Sequence, residues 1–252
     1  MKIAITGKGG VGKTTLAGTL ARLMARDGMD VLAIDADPDM NLASALGIDN
    51  PPGPLTDYKE FIDERAGGPD GMFKLNPKVD DVVERFGVVG PDGVKMLIMG
   101  TVERGGSGCM CSASSFLRAL LRHVVFRESS VVIMDMEAGI EHLGRGTTKG
   151  IDLMIVVVEP GSRSLETAER IKRLGTELGI GKFAAVINKV REGDIGVVES
   201  RLEALGIPVL GMLPYDISMV EADLNGQPPL KSGGLAVDAM KDVKDRLLSG
   251  QY

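Results

Sequence analysis

Residues Gly7 to Thr14 read GKGGVGKT and directly follow the apolar run KIAIT, Lys2–Thr6. No other stretch constrains the fold as strongly. The spacing G-x-x-x-x-G-K-[ST] between a strand and a helix is the pattern of a phosphate-binding P-loop. Its glycines let successive backbone N–H groups turn inward around phosphate oxygens. The helix that follows adds the positive end of its dipole. Such a loop needs a strand that ends at the carboxyl edge of a sheet and a helix that packs across it. The rest of the chain has to supply further strand–helix units.

It does so. Apolar runs recur at DVLAID (Asp30–Asp35), VKMLIMG (Val94–Gly100), SVVIMD (Ser130–Asp135), DLMIVVVE (Asp152–Glu159), KFAAVINK (Lys182–Lys189) and PVLGMLP (Pro208–Pro214). Near-continuous apolar runs fit strands of a parallel sheet buried on both faces. Helical stripes lie between them: Leu16, Leu20, Leu23 and Met24; Phe116, Leu117, Leu120, Leu121 and Val124; Leu165, Ala168, Ile171, Leu174 and Leu178. Val237, Met240, Val243 and Leu247 mark a C-terminal helix whose polar face mixes Lys, Asp and Arg. The pattern predicts an α/β, doubly wound, mostly parallel sheet of about seven or eight strands, with ligands at the carboxyl ends. Residues 1–252 read as a single P-loop ATPase domain. An irregular, Pro- and Gly-rich insertion at about 50–93 interrupts the rhythm and suggests two short helices, in DYKEFIDERA and KVDDVVERF.

Composition narrows the function classes. The net charge of −6 disfavours bulk attraction to nucleic acid or to an anionic membrane. The N-terminal residues lack the apolar run of a secretory leader. The longest internal apolar run, near MIVVV, is far short of the ~18 residues of a membrane helix. A cytoplasmic protein with reduced thiols is expected.

Each part of the phosphate site follows from its chemistry. The backbone of Gly9, Gly10, Val11 and Gly12 forms the cradle. Lys13 reaches the β- and γ-phosphates of ATP or ADP. The Thr14 hydroxyl is a Mg²⁺ ligand, and Thr15 bonds an inner phosphate. Lys8 sits one residue into the loop and cannot easily curl back onto phosphates held by its own backbone, so a second subunit is within its reach. After the second strand comes DADPDMN, Asp35–Asn41, where a carboxylate can orient a water for in-line attack; Asp35, Asp37 and Asp39 are all candidates. Asp135 ends an apolar strand as a Walker B acid does, contacting Mg²⁺ directly or through water. The Gly139 region, supported by Glu137, suits a second switch. Asn188, at a strand end, and Pro214 with Tyr215, after the last strand, suit recognition of the base.

KGGVGKTT, Lys8–Thr15, resembles the loop K-G-G-x-G-K-[ST] of the deviant Walker A ATPases, the group of MinD, ParA, the nitrogenase iron protein and the arsenite-pump ATPase. That resemblance implies an ATP-dependent homodimer in which Lys8 crosses the interface and stabilises phosphoryl-transfer charge. It implies that Asp37, the Asp preceding Pro, orients the water, and that Asn188 reads the adenine edge.

The chain has two cysteines, Cys109 and Cys111, in GSGCMCSASS. They read as a Gly/Ser-rich loop before a helix that begins near Ser114. A helix N-terminus favours the thiolate, the metal-binding form. A C-x-C pair bends awkwardly into a disulfide. One pair supplies two sulfurs where a closed tetrahedral site wants four, so two facing loops of a dimer would complete it. Thiolates alone leave Zn²⁺, Ni²⁺ and Cu⁺ open. His123 and His142 read as ordinary helix or loop residues, His142 with a weak claim on the second switch.

KGGVGKTT, DADPDMN, GCMCSASSFLRALLRH, MDMEAGIEHLGRG and MFKLNPKVDD together resemble the CooC-type accessory ATPases. The resemblance implies a homodimer that binds one metal ion through Cys109 and Cys111 of both subunits, Ni²⁺ in the expected role with Zn²⁺ able to compete for a tetrathiolate in vitro. As a switch, the ATPase is expected to turn over slowly alone. The resemblance also implies a client nickel enzyme, carbon monoxide dehydrogenase or acetyl-CoA synthase. The acidic net charge and the mixed-charge C-terminal helix argue for no nucleic-acid or membrane partner. Two competing readings are a MinD/ParA-like positioning ATPase and an iron–sulfur redox ATPase.

Overall fold

A computed structural model describes residues 1–68, 72–100, 110–127, 130–139, 148–191, 193 and 195–252. The strands are β1 (Lys2–Gly7), β2 (Val31–Ala36), β3 (Val88–Val89), β4 (Lys95–Ile98), β5 (Val131–Met136), β6 (Leu153–Val158), β7 (Phe183–Val190) and β8 (Val209–Pro214). They form one sheet in the order β3-β4-β2-β5-β1-β6-β7-β8. Every pairing is parallel except β3 with β4. All seven expected strands are present, with ends that shift by a residue or two. The eighth, β3, is a two-residue edge whose Val89 is exposed; nothing in so short a run announces a strand.

The helices are α1 (Lys13–Arg26), α2 (Leu42–Leu46), α3 (Lys59–Ala66), α4 (Val82–Phe86), α5 (Met110–Arg127), α6 (Ser162–Leu178), α7 (Ile195–Ala204), α8 (Ile217–Leu224), α9 (Pro229–Ser232) and α10 (Leu235–Ser249). Side chains alternate along the strands, so every strand but the edge β3 feeds two cores. Ile3 and Ile5 of β1 pack on one face with Leu16, Leu20, Leu23 and Met24 of α1 and with Val237, Met240, Val243 and Leu247 of α10. Ala4 faces the other core, with Phe116, Leu117, Leu120, Leu121 and Val124 of α5 and with Leu165, Ala168 and Ile171 of α6. β1 is buried along its whole length between β5 and β6. The chain passes from β1 to β2 on one side and later to β6 on the other. That is a topological switch point, and it opens a crevice at the carboxyl end of β1.

The insertion has a definite seat. α3 and α4 fall inside the two stretches expected to be helical. Phe61 of α3 meets Phe116 of α5 edge-on at 5.7 Å and Phe86 of α4 at 4.8 Å. Polar bonds tie the same insertion to the start of α5: Ser112 Oγ donates to Asp63 Oδ1 at 2.9 Å, and Ser115 Oγ donates to the Lys74 carbonyl at 2.7 Å. One expectation needs correction. α5 begins at Met110, four residues before Ser114, so Cys111 belongs to its first turn and not to a preceding loop.

Candidate active site

The P-loop turns at the end of β1 with left-handed or near-extended positive φ angles: +155° at Gly7, +77° at Gly10 and +95° at Gly12. Close approach demands glycine at both ends of the loop. A Cβ on Gly7 would lie 2.3 Å from the Val157 carbonyl oxygen, and one on Gly12 would lie 2.3 Å from Asn188 Nδ2. Val11 points down and is fully buried, which pins the loop to the core beneath it. α1 starts at Lys13 with no side-chain cap and no acidic residue in its first turn. Its leading N–H groups and dipole are therefore available to an anion.

Beside the loop, Asp35 lies buried at the end of β2. Its Oδ1 accepts the Asp37 N–H at 3.2 Å and its Oδ2 the Leu42 N–H at 2.9 Å. One carboxylate thus folds residues 36–41 into a tight turn. That turn presents Asp37, whose Oδ2 lies 3.5 Å from Lys13 Nζ. Asp37 in turn accepts the Asp39 N–H at 3.1 Å. Burial pushes the Asp35 carboxyl up to about 6, against the pull of its two backbone bonds.

Asp135 of β5 lies in register with Asp35 on one side and Ile5 on the other. It is fully buried, and among the described residues neither carboxylate oxygen has a well-formed hydrogen bond. Burial pushes its pKa up to about 7. The Asp35 and Asp37 charges add to the rise, while the Thr14 hydroxyl and the Lys13 ammonium oppose it. Three carboxylates therefore converge on one lysine and one threonine hydroxyl. The deficit is positive charge, and the donors are hard oxygens. Both facts fit a Mg²⁺ ion held by Thr14 and Asp135.

Above the loop opens a cavity of about 580 Å³, within the range of small-molecule and cofactor sites. Gly9, Gly10, Gly12, Lys13, Thr14 and Thr15 form its floor; Asp37, Asn188, Pro214 and Tyr215 stand around it. Ten residues singled out from four separate stretches of sequence thus meet at one place. Lys8 does not line the cavity that its own loop encloses. The Asn188 side chain braces the P-loop: Nδ2 donates to the Val11 carbonyl at 2.7 Å, and Oδ1 accepts the Lys189 N–H at 2.8 Å.

Several wall residues were not among the expected ones. Met219 and Val220 of α8 and the side chain of Lys189 belong to the same cavity. Asp216 holds this wall in place. Its Oδ1 caps α8 through the Ser218 N–H at 3.0 Å, and its Oδ2 accepts the Ala236 N–H at 3.1 Å near the start of α10. These bonds keep its carboxyl below the usual carboxylate range. The one signal was its place in LPYD, next to Tyr215. The Arg191 guanidinium lies 4.5 Å over the Tyr215 ring.

Cys109, His142 and most of the expected second switch lie outside the described residues, as does the Cys111 side chain. The described part of that switch is anchored: Thr6 Oγ1 donates to the Glu137 carbonyl at 2.7 Å. His123 sits half-buried on α5. Among the described residues, no group of three or more His, Cys, Asp or Glu side chains is placed to hold a metal ion.

Comparison with known proteins agrees with this geometry. Residues 2–230 match the CobQ/CobB/MinD/ParA nucleotide binding domain family. An uncharacterised ATP-binding protein of Methanocaldococcus jannaschii is 47% identical over 234 residues, 90% of each chain. The carbon monoxide dehydrogenase accessory protein CooC of Rhodospirillum rubrum is 45% identical over 237 residues, 90% of this chain and 88% of that one. Among solved structures, MinD of Pyrococcus horikoshii in complex with Mg-ADP superposes with a TM-score of 0.72 at 22% identity, covering 99% of this chain and 98% of that chain. At that identity the superposition speaks for the fold alone. The chain therefore belongs to the CobQ/CobB/MinD/ParA nucleotide-binding family, and within it is a P-loop ATPase of the CooC type.

Proposed function

We propose that this ATPase is a dimerising metallochaperone. It takes nickel on Cys109 and Cys111 of two copies and assists nickel insertion into carbon monoxide dehydrogenase or acetyl-CoA synthase. The observation that carries the reading is the seat of Cys111, the second cysteine of the C-x-C motif. Cys111 occupies the first turn of α5, where the helix dipole favours a thiolate, and the insertion braces that turn through Asp63 and Lys74. The strong similarity to the R. rubrum accessory protein supports the choice of client.

The residues divide the work as follows. The backbone from Gly9 to Thr15 and the start of α1 bind the phosphates. Lys13 exchanges Asp37 for phosphate oxygens, which frees Asp37 to orient the attacking water and take its proton. Mg²⁺ on Thr14 and Asp135, when bound, neutralises charge on the β- and γ-phosphates. Asn188, Pro214 and Tyr215 enclose the adenine. Lys8, absent from its own cavity wall, reaches the nucleotide of the second copy, so turnover of the lone chain is slow. ATP across the interface favours a closed dimer that aligns four sulfurs, and hydrolysis relaxes it.

The setting is cytoplasmic, without a nucleic-acid or membrane partner. Among the described residues no helix is long and apolar enough to cross a membrane. The apolar side of α10 is spent on the core, which argues against its use as a membrane anchor. Equilibrium dialysis against Ni²⁺ and Zn²⁺, with and without ATP, tests the proposal. One metal ion per two chains is expected, lost in the Cys109→Ala/Cys111→Ala variant while ATP binding persists. An unchanged stoichiometry in that variant would refute the site.

A further inference from the structure

Consecutive residues of a strand point to opposite faces of the sheet. Asn188 and Lys189 are consecutive residues of β7, yet both side chains reach the P-loop. Asn188 Nδ2 donates to the Val11 carbonyl at 2.7 Å, and Lys189 Nζ donates to the Gly10 carbonyl at 2.6 Å. The backbone explains how. Lys189 has φ +56°, in the left-handed region, and the β7–β8 register breaks between Ile187 and Val190. A lysine in that region is crowded at Cβ, and conformations of this kind persist where the surrounding structure enforces them, often at functional sites. We propose that Lys189 is a positioning residue of the ATPase, brought by this strained bulge to hold the P-loop in its phosphate-binding shape.

The argument is one of peptide orientation. For the loop's N–H groups to converge on phosphate, the carbonyls between them must turn outward. Two outward carbonyls, at Gly10 and Val11, are taken by Lys189 and Asn188. The Gly10 carbonyl belongs to the peptide unit that ends in the Val11 N–H. An ammonium on that oxygen polarises the unit and strengthens the N–H as a donor. Among the described residues this N–H makes a long contact, 3.4 Å to the Lys8 carbonyl. Glu159, just past the end of β6, steadies the ammonium from the other side at 3.3 Å. The inference rests on the ATPase activity and is independent of the metal site.

The test compares Lys189→Met, Lys189→Arg and Lys189→Gly, reading ATP affinity by calorimetry, kcat and KM by phosphate release, and thermal unfolding without nucleotide. Lys189→Met should raise the ATP Kd and KM by about tenfold, the size of one lost charge-assisted hydrogen bond, with kcat within about threefold. Lys189→Arg, which keeps the charge, should stay within about threefold of the parent in Kd. Lys189→Gly removes both the amine and the backbone strain. It should bind ATP as weakly as Lys189→Met while melting no lower than the parent, a split that a purely structural role would not produce. Parent-like ATP affinity in Lys189→Met or Lys189→Gly would overturn the proposal. So would an arginine variant as impaired as the methionine one.

Discussion

Two helices of this molecule begin at the same edge of the sheet, each after a parallel strand, and they are built in opposite ways. α1 follows β1 through a loop whose outward carbonyls at Gly10 and Val11 are gripped by β7 and whose Val11 side chain is sunk in the core. Its cavity draws its walls from the ends of β1, β2, β7 and β8, all within one chain. α5 follows β4, and its first turns are held by the insertion, through Asp63, Lys74 and the Phe61–Phe116 contact. The nucleotide cavity is thus walled within one chain, and a second copy is proposed to add only Lys8 for turnover. The cysteine end carries one C-x-C motif, half of the four ligands that a closed tetrahedral thiolate site takes. The difference teaches where the unit of function changes: ATP is bound by a chain, and metal is proposed to be bound by a pair.

If the two ends are separable in this way, each can be damaged without the other. The largest effect is expected for Lys13→Gln. It should lower the rate of phosphate release by roughly a thousandfold, the scale of a lost charge at a transferring phosphoryl group. Ni²⁺ bound per chain in the absence of nucleotide should not change. Loss of both would join the two sites more tightly than the comparison allows.

Next comes Asp135→Asn. The folded protein raises this carboxyl from 3.8 to about 7, so between those values the folded state holds a proton that the unfolded chain releases. Stability without nucleotide or Mg²⁺ should therefore fall as pH rises from about 4 to about 7, with the full cost present above pH 7. A shift of that size corresponds to at most about 4 kcal/mol. Urea unfolding at pH 5 and pH 8 should show the asparagine variant gaining stability mainly at pH 8, while Mg²⁺-dependent turnover is lost. An unaltered pH profile would mean that another group sets it.

The smallest of the three belongs to the cysteine end. Phe61→Ala leaves a hole against Phe116 and Phe86 and should cost about 3 kcal/mol in unfolding experiments. It should weaken metal binding and leave the ATP Kd unchanged, because no ring contact of Phe61 reaches the nucleotide cavity. Equal weakening of both ligands would mean that the insertion supports the whole sheet edge.

Much of the nucleotide end was legible because its signals are short-range. Gly7, Gly12, Lys13 and Thr14 lie within one turn of chain, and the spacing alone dictates their geometry. Asp37, Asn188, Pro214 and Tyr215 sit at strand ends, and a parallel sheet brings all its carboxyl ends to one edge. What stayed hidden depends on distant partners. The start of α5 at Met110 goes with side-chain bonds from Ser112 and Ser115 to residues about forty to fifty positions earlier, and GSG just before it reads locally as loop. The reversed backbone of Lys189 is equally silent, since a lysine after an apolar run gives no sign of a positive φ. The placement of Asp216 across two helix starts needs α10 already folded back onto α8.

The position of β1 sets how the two ends respond to thermal fluctuation. A strand bonded on both edges and packed on both faces exchanges its amide protons only when the whole sheet comes apart. The phosphate loop is rooted in that strand, so its base is fixed to a part of the sheet with no free edge. The first two turns of α5 are moored instead to the inserted segment, through Ser112 and Ser115. ATP hydrolysis and the proposed release of a metal would thus work from two differently anchored ends, one rooted in a central strand and one in an inserted segment.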